Sequence, residues 1–114
     1  MDFKIRINKI FQAFDLPLPG KQAHTELAPY RNEIELDFKN KNPKIASTLL
    51  LIYPKDEETF FCLIERQEYE GTHSNQISFP GGKNESGESM KETALRETME
   101  EIGVDPISIN IIGE

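Results

Sequence analysis

The chain is 114 residues long and carries 20 acidic against 13 basic residues, for a net charge of −7. That length holds one domain and no more, and the acidic balance excludes the broad basic surface that nonspecific nucleic-acid binding needs. Hydrophobic residues make up 37 % of the chain, enough for a modest core, and no apolar stretch approaches membrane-spanning length.

Phe3, Ile7, Ile10, Phe11 and Phe14 recur at helical spacing, so residues 3–14 read as an amphipathic helix. Its apolar stripe packs on its own domain or serves as a contact between two copies in a homodimer. Leu16-Pro17-Leu18-Pro19-Gly20 breaks the helix into an extended linker. The chain thus divides into an N-terminal helix with its linker, residues 1–20, and a main domain, residues 21–114. Residues 21–44 are polar and carry no assigned element. Lys39, Lys41 and Lys44 form a small basic cluster there, suited to a solvated loop or to a substrate phosphate.

Residues 45–53 (IASTLLLIY) and 59–66 (TFFCLIER) are near-continuous apolar runs joined by Pro54-Lys55-Asp56-Glu57-Glu58. They read as two strands buried on both faces. The single cysteine, Cys62, lies in the second run, cannot form an internal disulfide and reads as a small buried hydrophobe. With no signal-peptide pattern, the expected setting is soluble and cytoplasmic. Gln76 to Phe79 reads as a short strand, and Ile107 to Ile112 as another after the last helix. Strands covered by helices on both faces predict an α/β fold in three layers, α/β/α, around a mixed sheet.

Ser89-Met90-Lys91-Glu92 fits a capping box, good helix formers such as Ala94 and Leu95 follow, and Gly103 stands where a left-handed helix end is wanted. On that helix Glu97, Glu100 and Glu101, at i, i+3 and i+4, share one face. Three carboxylates so close repel one another unless a cation lies between them, and hard divalent cations prefer oxygen ligands. Arg96 reaches Glu92 or Glu100 along the helix. A bare acidic cluster of this kind is ordinarily only a solvated helix face.

The full pattern is more specific. Gly82, five intervening residues, Glu88, seven more, then Arg96-Glu97, Glu100-Glu101 and Gly103-Val104 resembles the Nudix box. Chance assembly of such a pattern is expected in roughly one chain in 10^5 or fewer. The resemblance implies a hydrolase that cleaves a nucleoside diphosphate linked to another group, with Mg²⁺ or Mn²⁺ as cofactor. It implies metal binding by Glu97, Glu100 and Glu101, with a backbone carbonyl of Gly81 or Gly82 as a further ligand. Glu97, Glu100 and Glu101 are then the catalytic carboxylates and Arg96 orients them, while Glu88 and Gly103 support the loop and the helix end. Thr98 stands where the family has an apolar residue; it can bury its methyl and return its hydroxyl to the helix backbone.

The approach to the box, from Leu63-Ile64-Glu65-Arg66 through His73 to Ser78-Phe79-Pro80-Gly81-Gly82, is similar to the coenzyme A pyrophosphatase branch. Asn75 stands where that branch usually has glycine. The likeness implies cleavage of coenzyme A or a derivative to 3′,5′-ADP and 4′-phosphopantetheine. It makes Arg66 a substrate-binding residue, since a guanidinium suits phosphate oxygens, with Gly81 and Gly82 beside it. A strand-end arginine in a surface ion pair is the structural alternative for Arg66, and a loop hydrogen bond the alternative for His73. Another nucleoside diphosphate derivative (a nucleotide sugar, a dinucleotide or a nucleoside triphosphate) and a binding module without turnover remain the functional alternatives. Nudix domains normally continue with more strands and a helix after the box. The resemblance therefore implies that residues 1–114 are the N-terminal portion of a longer domain, truncated at the C-terminus, with strand edges prone to association.

Overall fold

The computed structural model describes residues 2–30, 42–66 and 75–114. Lys39, Lys41 and His73 lie outside those residues. Helix α1 (Phe3–Ala13) starts at Asp2, whose side chain accepts the Lys4 N–H, and ends where the Leu-Pro-Leu-Pro run begins. Residues 16–19 leave the helix as expected. Gly20–Leu27 then forms a second helix, α2, in a stretch where the sequence pattern assigned nothing. Its eight residues carry no buried side chain, so no apolar stripe announces it.

The two apolar runs each form two short strands rather than one. The first yields β1 (Ala46–Thr48) and β2 (Ile52–Lys55), the second β3 (Glu58–Phe61) and β4 (Ile64–Glu65). Two more strands follow, β5 (Ile77–Ser78) and β6 (Gly81–Lys83). The division has a physical cause, because each run changes partner midway. β1 pairs with β6, extended by the Leu49 N–H donating to the Pro80 carbonyl at 2.8 Å. β2 then turns to β3, extended by the Cys62 N–H donating to Leu51. β4 in turn pairs with β5, extended by Arg66 N–H to Gln76. All of these described ladders are antiparallel.

Burial on both faces does not hold for the two apolar runs: Leu50 is 54 % and Phe61 55 % exposed. Antiparallel ladders tolerate one wet face, unlike the parallel strands whose composition the runs resemble. The β2–β3 hairpin closes on Asp56 and Glu57, both at positive φ (49° and 63°), the pairing of conformations that a two-residue turn with matching twist requires. Tyr53 and Phe60 face each other across it with stacked rings.

The helix after β6, α3 (Met90–Ile102), packs on β6 and β1. Its caps are as the sequence predicts. Ser89 and Glu92 form a reciprocal capping box, and Gly103 closes the helix at φ 72° with its N–H on the Met99 carbonyl. The inward face consists of Thr93, Ala94 and Thr98, the most buried residues of the helix. Thr98 donates its hydroxyl to the Ala94 carbonyl at 2.6 Å, so a polar group is buried at no hydrogen-bond deficit.

The strand expected over Ile107 to Ile112 does not form. Pro106–Ser108 is a short 3-10 helix capped by Asp105, and residues 109–114 pair with no described strand. A strand needs a ladder partner, and this segment meets a helix instead: the Phe14 ring lies against Gly113, where even a Cβ would collide with it. Phe14, the residue that caps α1, thus meets its own chain, while no side chain within the helix is buried. Phe3, Ile7, Ile10 and Phe14 line one side of an apolar cavity of about 910 Å³, with residues 48–54 and the segment after α3 on the others. Helices and antiparallel strands together make this an α/β fold.

Candidate active site

Strand β6 and helix α3 build the site between them. Gly81 and Gly82 run alongside the helix face that carries Glu97 and Glu101, and both are closely approached, Gly81 by backbone and Gly82 by a side chain. A Cβ on Gly81 would strike the Ser47 carbonyl of β1, and one on Gly82 would fall 2.7 Å from each carboxylate oxygen of Glu97. Glu101 Oε1 accepts the Gly81 N–H at 3.0 Å. Two carboxylates therefore abut one dipeptide of backbone. Glu100, one residue before Glu101, turns to the flank and its side chain is 58 % exposed.

Arg96 joins the loop to the helix. Its Nε donates to both carboxylate oxygens of Glu88, at 2.9 and 3.1 Å. Nη1 donates to Glu97 at 3.0 Å and more distantly to Glu100 at 3.4 Å, and Nη2 donates to the Lys83 carbonyl at 3.0 Å. Glu85 approaches within 3.7 Å. Of the two helix partners expected for Arg96, only Glu100 is met, and weakly; Glu92 is occupied by the capping box. The Arg96 hydrogen bond holds the Glu88 carboxyl below its ordinary range, against a smaller opposing effect of burial, and Glu88 raises Arg96 further in return.

The remaining expected residues fall elsewhere. Arg66 follows β4, half-buried, and its side chain makes no ion pair with the Glu97–Glu101 face among the described residues. Asn75 has φ 60°, a left-handed conformation that explains glycine or asparagine there. Gly103 ends the helix, two residues after Glu101. Asn84 and Thr93 were not anticipated. The Asn84 amide donates to the Glu88 carbonyl and to the Thr93 hydroxyl, beneath the loop that presents Glu88. A threonine four residues before Glu97, hence on the same helix face, was the available signal.

Among the described residues no three His, Cys, Asp or Glu side chains already converge as a cation cage. The donor set still fits a hard divalent cation, since Glu97 and Glu101 both bring carboxylate oxygens to the Gly81–Gly82 backbone. The missing Cβ of Gly82 also lets the Glu97 carboxylate lie directly against this backbone.

Residues 43–114 match the NUDIX domain family, and the chain belongs to that family. It is 40 % identical over 67 residues to Nudix hydrolase 3 of Caenorhabditis elegans, a match covering 59 % of this chain and 28 % of that protein. It is 36 % identical over 72 residues to the mitochondrial Nudix hydrolase 15 of Arabidopsis thaliana, covering 61 % and 25 %. It is also 34 % identical over 74 residues to the uncharacterized Nudix hydrolase NudL of Yersinia enterocolitica, covering 64 % and 37 %. The chain thus spans about a quarter to somewhat over a third of these curated relatives. The crystal structure of a MutT/nudix family protein from Enterococcus faecalis shares the fold, with a TM-score of 0.51 at 23 % identity over 86 % of this chain and 36 % of that one. Family members generally use divalent metal ions such as Mg²⁺ or Mn²⁺. No helix among the described residues is long and apolar enough to cross a membrane.

Proposed function

We propose that the chain carries the catalytic box of a divalent-metal-dependent pyrophosphohydrolase, with coenzyme A or an acyl derivative as substrate. The observation that carries the reading is the placement of Glu97 and Glu101 against the Gly81–Gly82 backbone. That arrangement suits a cation held between carboxylates and a carbonyl. Glu97, Glu100, Glu101 and the Gly82 carbonyl would hold Mg²⁺ or Mn²⁺. The ion, when bound, supplies charge neutralisation for the diphosphate and makes water more acidic.

The chain's own groups then have defined tasks. Arg96 fixes the direction of Glu97, and Glu88 fixes Arg96. The Gly81 N–H steadies Glu101. One of the carboxylates, or an acidic residue outside this chain, takes the proton of the attacking water. Water adds across the anhydride: its oxygen bonds to one phosphorus, the bridging P–O bond breaks, and 3′,5′-ADP and 4′-phosphopantetheine result. The run from Leu63 to Gly82 supports coenzyme A as substrate, with Arg66 gripping phosphate oxygens. Residues 1–20 serve as helix and linker and residues 21–114 as the enzyme domain, in the cytoplasm.

Hydrolysis of coenzyme A, ADP-ribose and a nucleoside triphosphate, with and without Mg²⁺ and with products resolved by chromatography, tests this. Metal-dependent release of 3′,5′-ADP from coenzyme A is the expected result. Turnover of only another substrate would keep the reaction and overturn the branch. Metal binding with no turnover of any substrate would favour a binding module.

A further inference from the structure

The loop between β6 and α3, residues 84–89, is mostly exposed, with Glu85, Ser86, Gly87 and Ser89 all open to solvent. Yet Glu88 within it has one defined placement on Arg96. What holds it is a short hydrogen-bonded chain. The Asn84 backbone N–H donates to the Ile45 carbonyl at 2.9 Å, which ties the start of the loop to the chain entering β1. The Asn84 amide nitrogen then donates twice, to the Glu88 carbonyl at 3.1 Å and to the Thr93 hydroxyl at 2.8 Å. Thr93 is completely buried and donates its own proton to the Ser89 carbonyl at 3.1 Å. Carbonyl oxygens only accept, so every proton in this chain has one assignment: the Asn84 amide must face Glu88 with its NH₂, and Thr93 must accept from it. Such fully satisfied networks hold one geometry.

We propose that Asn84 and Thr93 are positioning residues for the metal-binding face of the box, acting on Glu97 through Glu88 and Arg96. Arg96 has four carboxylates within 4 Å, those of Glu85, Glu88, Glu97 and Glu100. Its choice among them is decided by the fixed Glu88, which also accepts the Glu85 N–H at 3.0 Å and so shapes the loop around itself. With Nε committed to Glu88 and Nη2 to the Lys83 carbonyl, Nη1 is aimed at Glu97. Without the Asn84–Thr93 link, Glu88 is free to leave Nε, Arg96 redistributes toward the exposed Glu85 and Glu100, and Glu97 loses its orientation.

The inference rests on the metal-dependent reading of the site, so the test includes measurements that need no turnover. Thr93→Val keeps the shape and removes the hydroxyl; Thr93→Ser keeps the hydroxyl. In Thr93→Val, Mn²⁺ affinity, read from the free Mn²⁺ resonance signal in a titration, should fall about tenfold, the usual scale for losing a support behind a metal ligand. Solvent exchange of the Arg96 Nε–H, followed by NMR without metal, should accelerate. If the chain turns over substrate, kcat should fall about tenfold with KM within about twofold. Thr93→Ser should restore all of these. Asn84→Ala, which leaves the backbone bond to Ile45 in place, should reproduce the Thr93→Val pattern and serves as the test if Thr93→Val does not fold. Wild-type Mn²⁺ affinity and wild-type Arg96 protection in a folded Thr93→Val or Asn84→Ala would overturn the inference. Absence of turnover in the wild type would instead count against the hydrolase, leaving the exchange measurement to decide the role of Asn84 and Thr93.

Discussion

Alanine at Gly81 and alanine at Gly82 should fail in opposite ways, although the residues are adjacent. At Gly81 the new Cβ meets the Ser47 carbonyl oxygen and lies 2.6 Å from Thr48 Cα, both backbone atoms of β1. No rotamer relieves that. Restoring a carbon contact of ~3.5 Å means pushing β1 away from β6 by about 1 Å, beyond good hydrogen-bond distance for the ladder. Overpacking costs about 1–3 kcal/mol, and the rigid obstacle puts this case at ~3 kcal/mol. At roughly 4 °C per kcal/mol for a chain of this size, Tm should fall by about 12 °C. At Gly82 the obstacle is the Glu97 carboxylate, the far end of a flexible side chain. Swinging it aside sacrifices its ion pair with Arg96, worth up to ~1 kcal/mol at a partly exposed site, so Tm should move by only about 4 °C. Displacing a proposed metal ligand should nevertheless lower turnover and Mn²⁺ affinity by about tenfold or more. Thermal unfolding by circular dichroism, with Mn²⁺ titration on the same samples, reads both. Gly81→Ala melting with the wild type, or Gly82→Ala losing as much stability as Gly81→Ala, would refute the reasoning from close approach.

Glu88 is held below its ordinary value near 4.5 by the Arg96 hydrogen bond, so the folded state binds fewer protons there than the unfolded chain. The stability it contributes is present above that ordinary value and lost as pH falls through the lowered one; Glu88→Gln should remove this part of the acid limb, and superimposable denaturation curves from about pH 3 to 6 would discount it. Thr98→Val should change stability by less than about 1 kcal/mol and leave kcat alone, because the hydroxyl returns only to the helix's own Ala94 carbonyl and Thr98 does not reach the carboxylates; a loss above about 2 kcal/mol in a urea titration would make the hydroxyl essential. Glu97→Gln and Glu101→Gln should each lower kcat on the order of 10²–10⁴-fold with Tm nearly unchanged, and retained activity in both would remove these residues from the mechanism. Exposed Phe11, Phe14, Leu16 and Leu18 in and after α1 predict self-association of the 114-residue chain, which a single monomeric species in sedimentation velocity would contradict.

Helix α3 and its ends were legible from residues 89–103 alone. A capping box, helix formers and a terminal glycine act through hydrogen bonds between residues three or four apart, so the neighbours in sequence are the neighbours in space. The alignment of Glu97 and Glu101 on one face follows from the same periodicity. The clustering of hard oxygen donors on one helix face therefore needed no tertiary information.

What Arg96 holds did. Local spacing offers Glu92 and Glu100, yet the capping box removes the first, and a loop folded by Asn84 brings Glu88 closer than the second. Which of the three glutamates meets the glycine backbone was likewise decided by how α3 lies on β6, with Thr93, Ala94 and Thr98 against the strands and Glu100 rotated outward. The apolar runs foretold extended chain but not the change of partner at Leu49 to Leu51, nor the unpaired segment after Pro106 that meets Phe14. Strand pairing joins residues far apart in sequence, and composition states only that a surface is apolar, not which surface covers it.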